Sequence, residues 1–362
     1  MSALQELSNS GLAIWLDDLS RERLESGSLA QLIASSHVVG VTTNPSIFSS
    51  AISKSEKYSA DIKSLSADGA SIAQIVTRLT TDDVRAACDL FLDTYQASSG
   101  VDGRVSIEVE PDLAYDTQGT IARALALHEI VNRPNVLIKV PATIAGLPAI
   151  EELTARGISI NVTLIFSVER YVAVSDAYLR GLERRLGNGL PLSDIHSVAS
   201  FFVSRIDTEV DKQLDDHHPG SELRGTAAIA NAHLAYEAFL NTTRSQRWKS
   251  LAAKGANYQR PLWASTGVKD KSYNTTRYVV ELVAANTVNT MPEGTLDEVR
   301  AHGIVRGDTI TSEIPAAHVI FKSLAEAGVD IDHITAALED AAVFGFQKAW
   351  NELLANVAAV IG

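Results

Sequence analysis

An α/β chain, folded as a closed (β/α)8 TIM-type barrel, is predicted by three observations. Eight short β-branched or apolar runs recur along the 362 residues, and stretches of helical periodicity separate them. Strands alternating with helices make parallel βαβ units, which close into a barrel or spread into an open doubly wound sheet. No Gly-x-Gly-x-x-Gly follows any run and no Walker-type loop is present, which weighs against the open nucleotide-binding sheet.

The strand candidates in order are Leu12–Asp17, Val38–Thr42, Val105–Val109, Val136–Val140, Ile158–Leu164, Val198–Phe202, Pro261–Ser265 and the less clear Asn286–Asn289. Amphipathic helices stand between them, among them Thr120–Val131 and Leu147–Ala155. Residues 46–103 and 206–260 each exceed the length of one crossover helix, so both connections carry extra helices on the outside. The tail, 315–362, is helical again (Ala316–Ala327, then Ile334–Ala355) and is placed across one barrel face. No low-complexity tract or Pro-rich linker interrupts the chain, so residues 1–362 are read as one domain.

Composition narrows the function classes. With 46% hydrophobic residues the chain can bury a substantial core. A net charge of −13 argues against nucleic acid as a partner, because phosphate affinity needs clustered Lys and Arg. The single cysteine, Cys88, excludes an intramolecular disulfide and fits a reducing compartment. No basic stretch followed by an apolar one opens the sequence, and no apolar run approaches the ~20 residues that span a membrane. A cytoplasmic protein with no membrane partner is the expectation. Asp215-Asp216-His217-His218 contains ligand-type side chains, but neighbours in a loop rarely aim at one ion, and Pro219-Gly220 marks a turn. No metal site is expected.

Lys139 carries the most chemical information. It interrupts Asn135-Val136-Leu137-Ile138-Lys139-Val140-Pro141, which otherwise reads as a buried strand. Burying an ammonium is expensive, the cheaper state is the neutral amine, and a desolvated neutral amine is the nucleophile that forms a Schiff base. Side chains alternate along a strand, and the helix-covered face of a barrel is apolar. Lys139 therefore points inward, opposite to Ile138 and Val140. The same alternation sends Trp15 and Asp17, Ser106, Glu108 and Glu110, and Asn161 and Thr163 inward. Polar groups at the C-terminal ends of several barrel strands mark an active site.

These residues resemble the transaldolase family. The resemblance rests on Val41-Thr42-Thr43-Asn44-Pro45-Ser46 after the second strand, Leu137-Ile138-Lys139-Val140 on the fourth and Ile160-Asn161-Val162-Thr163-Leu164-Ile165-Phe166-Ser167 on the fifth. It extends in order from Asp17 to at least the seventh strand. It implies a class I aldolase barrel with no metal and no organic cofactor, since the lysine itself serves as the electron sink. It further implies transfer of a dihydroxyacetone unit from sedoheptulose 7-phosphate or fructose 6-phosphate to an aldose phosphate, in the non-oxidative pentose phosphate pathway.

On that resemblance Lys139 adds to the ketose C2 carbonyl, and Asp17 takes the proton from the C4 hydroxyl as C3–C4 breaks. Glu108 and Thr163 hold a water that shuttles protons. Asn44 and Asn161 grip substrate hydroxyls and the Asp17 carboxylate, with Thr42 in support. Asp18 has the opposite parity and faces away. Val198-Ala199-Ser200-Phe201-Phe202-Val203-Ser204-Arg205 is similar to the family's sixth-strand segment, which assigns Ser200 and Arg205 to the phosphate and Phe202 to the Schiff base. Many relatives carry Ala-Ser-Phe-Arg after the seventh strand. This chain has Ala264-Ser265-Thr266-Gly267-Val268-Lys269, so Ser265 carries over, the arginine does not, and Lys269 stands in by position only.

Two other functions share the fold. A fructose 6-phosphate aldolase releases dihydroxyacetone to water, but that group tends to carry glutamine and tyrosine where this chain has Glu108 and Phe202. A non-catalytic barrel that senses sugar phosphates needs a protonated or occluded Lys139. The partners expected are small sugar phosphates, with the chain acting as monomer or homodimer.

Overall fold

A computed structural model describes residues 2–361. Eight strands, β1 Leu12–Leu16, β2 Val38–Val41, β3 Arg104–Glu108, β4 Val136–Pro141, β5 Ile160–Ile165, β6 Ser197–Phe202, β7 Gln259–Ala264 and β8 Thr287–Met291, pair in parallel and in sequence order. β1 closes on β8, with Trp15 opposite Thr290. The expected (β/α)8 barrel is the observed fold. Asp17 and Thr42 lie just past their strands rather than inside them, and β8 begins after Asn286 and runs on to Met291. Asn286 has φ 60° and makes the turn into the strand, a left-handed conformation that asparagine tolerates.

Strand alternation holds through the barrel. Ile107, Ile138, Val140 and Val162 pack outward under the helices, while Lys139 lies in register with Glu108 on β3 and Asn161 on β5. Below the mouth Trp15 fills the axis, and Gly40 beside it in register has no side chain because a Cβ there would come within 2.5 Å of the indole ring. At the opposite end Arg104 lies over the Tyr95 ring at 4.8 Å, and Arg260 pairs with Asp102 at 2.8 Å. Packed side chains thus give the barrel a solid floor.

Both long connections are helical. Residues 46–103 hold most of helix Pro45–Lys54, then Ser59–Ala67, Ile72–Leu90 and Leu92–Ala97. Residues 206–260 hold most of Ser204–His217, then Ala227–Arg244 and Gln246–Ala252. Local signals start these helices. Ser71 and Gln74 form a reciprocal capping box for Ile72–Leu90, a device worth about 1 kcal/mol per cap. The tail forms Ile314–Glu326 and a long helix, Ile331–Ile361. A stripe on that last helix (Leu338, Ala342, Val343, Phe346, Leu353, Val357) joins the main core, and the helix packs on Pro45–Lys54, Ile72–Leu90 and Ser204–His217. It therefore crosses the end of the barrel where the inward polar groups gather. Among the described residues no helix is long and apolar enough to cross a membrane.

Candidate active site

The C-terminal ends of the strands converge on a cavity of about 160 Å³. Lys139 lies at its base. Its Nζ donates to Glu108 Oε2 at 3.1 Å and to the Thr43 carbonyl oxygen at 3.1 Å. The two side chains are only 5% and 6% exposed, so the pair is held out of bulk water. Burial pushes the Glu108 carboxyl above the usual carboxylate range, Lys139 opposes that, and nearby Asp17 adds to it.

Asp17 stands across the cavity on the loop after β1. Burial also raises its carboxyl, while Lys139 and a hydrogen bond from Thr42 Oγ1 at 2.6 Å pull it down. Thr42 Oγ1 also lies 2.6 Å from Thr290 Oγ1. A hydroxyl has one proton, and Thr42 gives its own to Asp17, so Thr290 is the donor in the second bond. The Thr290–Thr42–Asp17 chain fixes the carboxylate's orientation.

Thr163 lines the cavity, and its buried hydroxyl has no partner among the described residues. The next residue, Leu164, has φ 63°, and the pairing of β5 with β6 shifts register there. Left-handed backbone at a branched side chain costs ~1–3 kcal/mol and gathers at functional sites. Ser265 repeats the feature at φ 56°, directly after β7, with its Oγ 3.1 Å from Ser204 Oγ.

Three residues expected to touch substrate, Asn161, Ser200 and Asn44, have other partners. Asn161 Nδ2 donates to Ser106 Oγ at 3.0 Å and its Oδ1 accepts from Ser200 Oγ at 2.6 Å, so the amide is spent in a layer beneath the cavity. Asn44 Oδ1 accepts from the Ile47 backbone N–H at 3.0 Å and caps helix Pro45–Lys54. Asn44 still lines the cavity, but Asp17 takes its hydrogen bond from Thr42. Glu110 does not face inward. β3 ends at Glu108, alternation stops there, and Glu110 turns to Arg123 on the outer helix Thr117–Val131. Asp18 faces away as parity requires and pairs with Arg23 at 2.6 Å. Asp215 pairs with Arg224, and His218 Nε2 lies 2.9 Å from the Ala327 carbonyl oxygen.

The sixth-strand residues sit together. Phe202 packs on Phe166 with centroids 5.1 Å apart, and the Arg205 guanidinium lies 5.7 Å from the Phe202 ring. Arg205 has no hydrogen-bond or ion-pair partner among the described residues, and burial alone pulls its pKa down. A guanidinium without a hydrogen-bond partner at a cavity rim has the planar donor fork that suits a carboxylate or phosphate. Ser200, Ser265 and Lys269 line the same cavity, with Lys269 exposed at the edge. Thr290 and Phe346 line it too, though neither is among the residues anticipated from sequence. Thr290 shares inward parity with Val288 and lies one residue beyond the expected end of its strand. Phe346 arrives from the last helix with no local signal.

The family model described as Transaldolase/Fructose-6-phosphate aldolase matches residues 14–357. A transaldolase of Saccharopolyspora erythraea is 55% identical over 356 residues, covering 98% of this chain and 97% of its own. One of Mycobacterium bovis is 54% identical over 359 residues, covering 98% and 96%. Another, of Mycolicibacterium smegmatis, is 55% identical over 355 residues, covering 97% and 95%.

Proposed function

The chain belongs to the transaldolase/fructose-6-phosphate aldolase family and works as a transaldolase, and from that premise we infer that its reaction runs through a Schiff base on Lys139. One observation carries the reading: a buried amine, hydrogen-bonded to Glu108, opens onto a cavity whose rim holds the unpaired Arg205. Lys139 passes a proton to Glu108 and adds to C2 of fructose 6-phosphate or sedoheptulose 7-phosphate. Glu108 returns the proton through a water held by Thr163 as the carbinolamine loses water to give the iminium. Asp17, oriented by Thr42, takes the C4 hydroxyl proton, the C3–C4 electron pair moves into the iminium, and an aldose phosphate leaves. The resulting enamine attacks a second aldose phosphate, and the steps reverse. The iminium is the electron sink, so the chemistry calls for no metal or organic cofactor.

This activity sits in the non-oxidative pentose phosphate pathway of the cytoplasm, carried by residues 1–362 as one unit acting as monomer or homodimer. Reduction with borohydride in the presence of fructose 6-phosphate, followed by peptide mapping, tests the reading. A three-carbon adduct on Lys139 supports it, and an adduct elsewhere rejects it.

Arg205, with Ser265 and Lys269, is assigned to the substrate phosphate, whereas Ser200, expected there from sequence, gives its one hydroxyl proton to Asn161. Losing a charge-assisted contact costs on the order of 1.5–3 kcal/mol, so Arg205→Ala should raise KM for fructose 6-phosphate roughly tenfold or more. Lys269→Ala should raise it less, because an exposed ammonium is already screened. Turnover of unphosphorylated fructose should change in neither variant. A Lys269→Ala enzyme impaired equally on both donors removes Lys269 from the phosphate site.

A further inference from the structure

We propose that Phe346 is a specificity-determining residue, the apolar cover that keeps water from the Lys139-bound intermediate and so commits the enzyme to transfer rather than release. The proposal rests on the Schiff-base reading above. The Phe346 ring centroid is 5.6 Å from Lys139 Nζ, the ring lines the cavity, and only 8% of the residue is exposed. Its setting is specific. Phe344, two positions earlier on the same helix, is 68% exposed, so helix rotation selects one phenylalanine for the cavity and leaves the other in solvent. The ring is also fixed. Its helix is bound to the core through Leu338, Ala342, Val343 and Leu353, and groups carried on rigid helices hold their position better than groups on loops. Phe202, backed by Phe166, supplies a second apolar wall.

The chemistry gives that cover a purpose. After C3–C4 cleavage the three-carbon unit remains on Lys139 as an enamine with two fates. In transfer, C3 forms a bond to the acceptor's carbonyl carbon, the carbonyl electron pair moves to oxygen, and that oxygen takes the proton held by Asp17. In release, C3 takes a proton from water, the hydroxide so formed adds to C2, and the carbinolamine collapses. The hydroxyl proton then moves to nitrogen, the C2–N bond breaks, and dihydroxyacetone leaves a free amine. Release consumes one water, whereas transfer needs none at that stage. Keeping water from C3 at that stage therefore slows its protonation without slowing C–C bond formation, while the water held by Thr163 near C2 still serves the hydrolysis that ends transfer.

The test measures the ratio of dihydroxyacetone released to product transferred, with fructose 6-phosphate as donor and erythrose 4-phosphate as acceptor. Phe346→Ala should raise that ratio by about tenfold or more, while borohydride still labels Lys139. Phe346→Leu, which restores most of the apolar volume, should bring the ratio back near the unaltered enzyme. Loss of fold alone would lower both fates together and leave the ratio fixed. Should the alanine variant not fold, Phe346→Val supplies the same opening and the same readout. An unchanged ratio in the folded variant, with Lys139 still labelled, overturns the role of Phe346. Failure to label Lys139 in the unaltered enzyme instead overturns the Schiff-base reading on which it rests.

Discussion

Lys139→Met should abolish both turnover and borohydride labelling while leaving the barrel folded. Removing a covalent nucleophile acts on a scale of up to ~10⁶-fold in rate, and among the described residues the one other lysine that lines the cavity is Lys269. Lys269 is exposed at the rim, whereas Lys139 lies at the base of the cavity. The fold should survive because methionine has nearly the length of the lysine stem and suits a buried strand. The partner left behind adapts as well. Glu108 is already displaced toward its neutral form by burial, and without the Lys139 charge it moves further that way instead of remaining a buried anion. A thermal melt and a circular dichroism spectrum close to those of the unaltered protein, with activity at background, are the expected pair of results. Appreciable turnover by the folded variant rules out the lysine as nucleophile.

Asp17→Ala and Glu108→Gln should fail at different steps, each by ~10²–10⁴-fold. Without Asp17 the iminium still forms, so borohydride trapping persists while aldose release slows. Without the acid at Glu108, imine formation itself slows and trapping falls in step with turnover. Equal effects of both changes on trapping and cleavage contradict this division. The pH dependence follows from the raised carboxyls. Asp17 must be ionised to act as base, so cleavage should decline with acid at a pH above the ordinary carboxylate range. Stability runs the other way. A carboxyl raised in the folded state binds its proton more tightly there than in the unfolded chain, so it favours folding below the unfolded pKa. That contribution is lost as pH rises through the folded value. Asp17→Asn should flatten this part of the melting-temperature profile. An unaltered profile would mean that the carboxyl is not raised.

How much could be seen in the sequence follows from which interactions are local. Alternation along a strand needs no knowledge of distant residues, so Lys139, Glu108 and Thr163 were legible from their own runs, and Asp17, one residue past β1, keeps the pleat because its N–H still bonds the Met291 carbonyl. Where the strand stops, so does the rule. Glu110, two residues past Glu108, followed Arg123 instead of the pleat. Parity also says which face a residue takes but not which layer it occupies. Asn161 points inward, yet lies below the cavity with Ser106 and Ser200 as partners. The turn chemistry of Asn44 before Pro45 was readable, and the helix cap is part of what the residue does. Phe346 was not readable, because only packing across the whole barrel shows which turn of Ile331–Ile361 meets the mouth.

The position of that helix along the chain sets an order on how the enzyme comes into being. All eight strands, and every polar side chain that lines the cavity among the described residues, precede Phe346 in synthesis. A nascent chain that has made them carries the amine, both carboxylates and the unpaired arginine before it carries the cover. In chain order the reactive groups therefore come first and the cover last, and a chain cut short ahead of residue 346 carries the reagents without the lid over them.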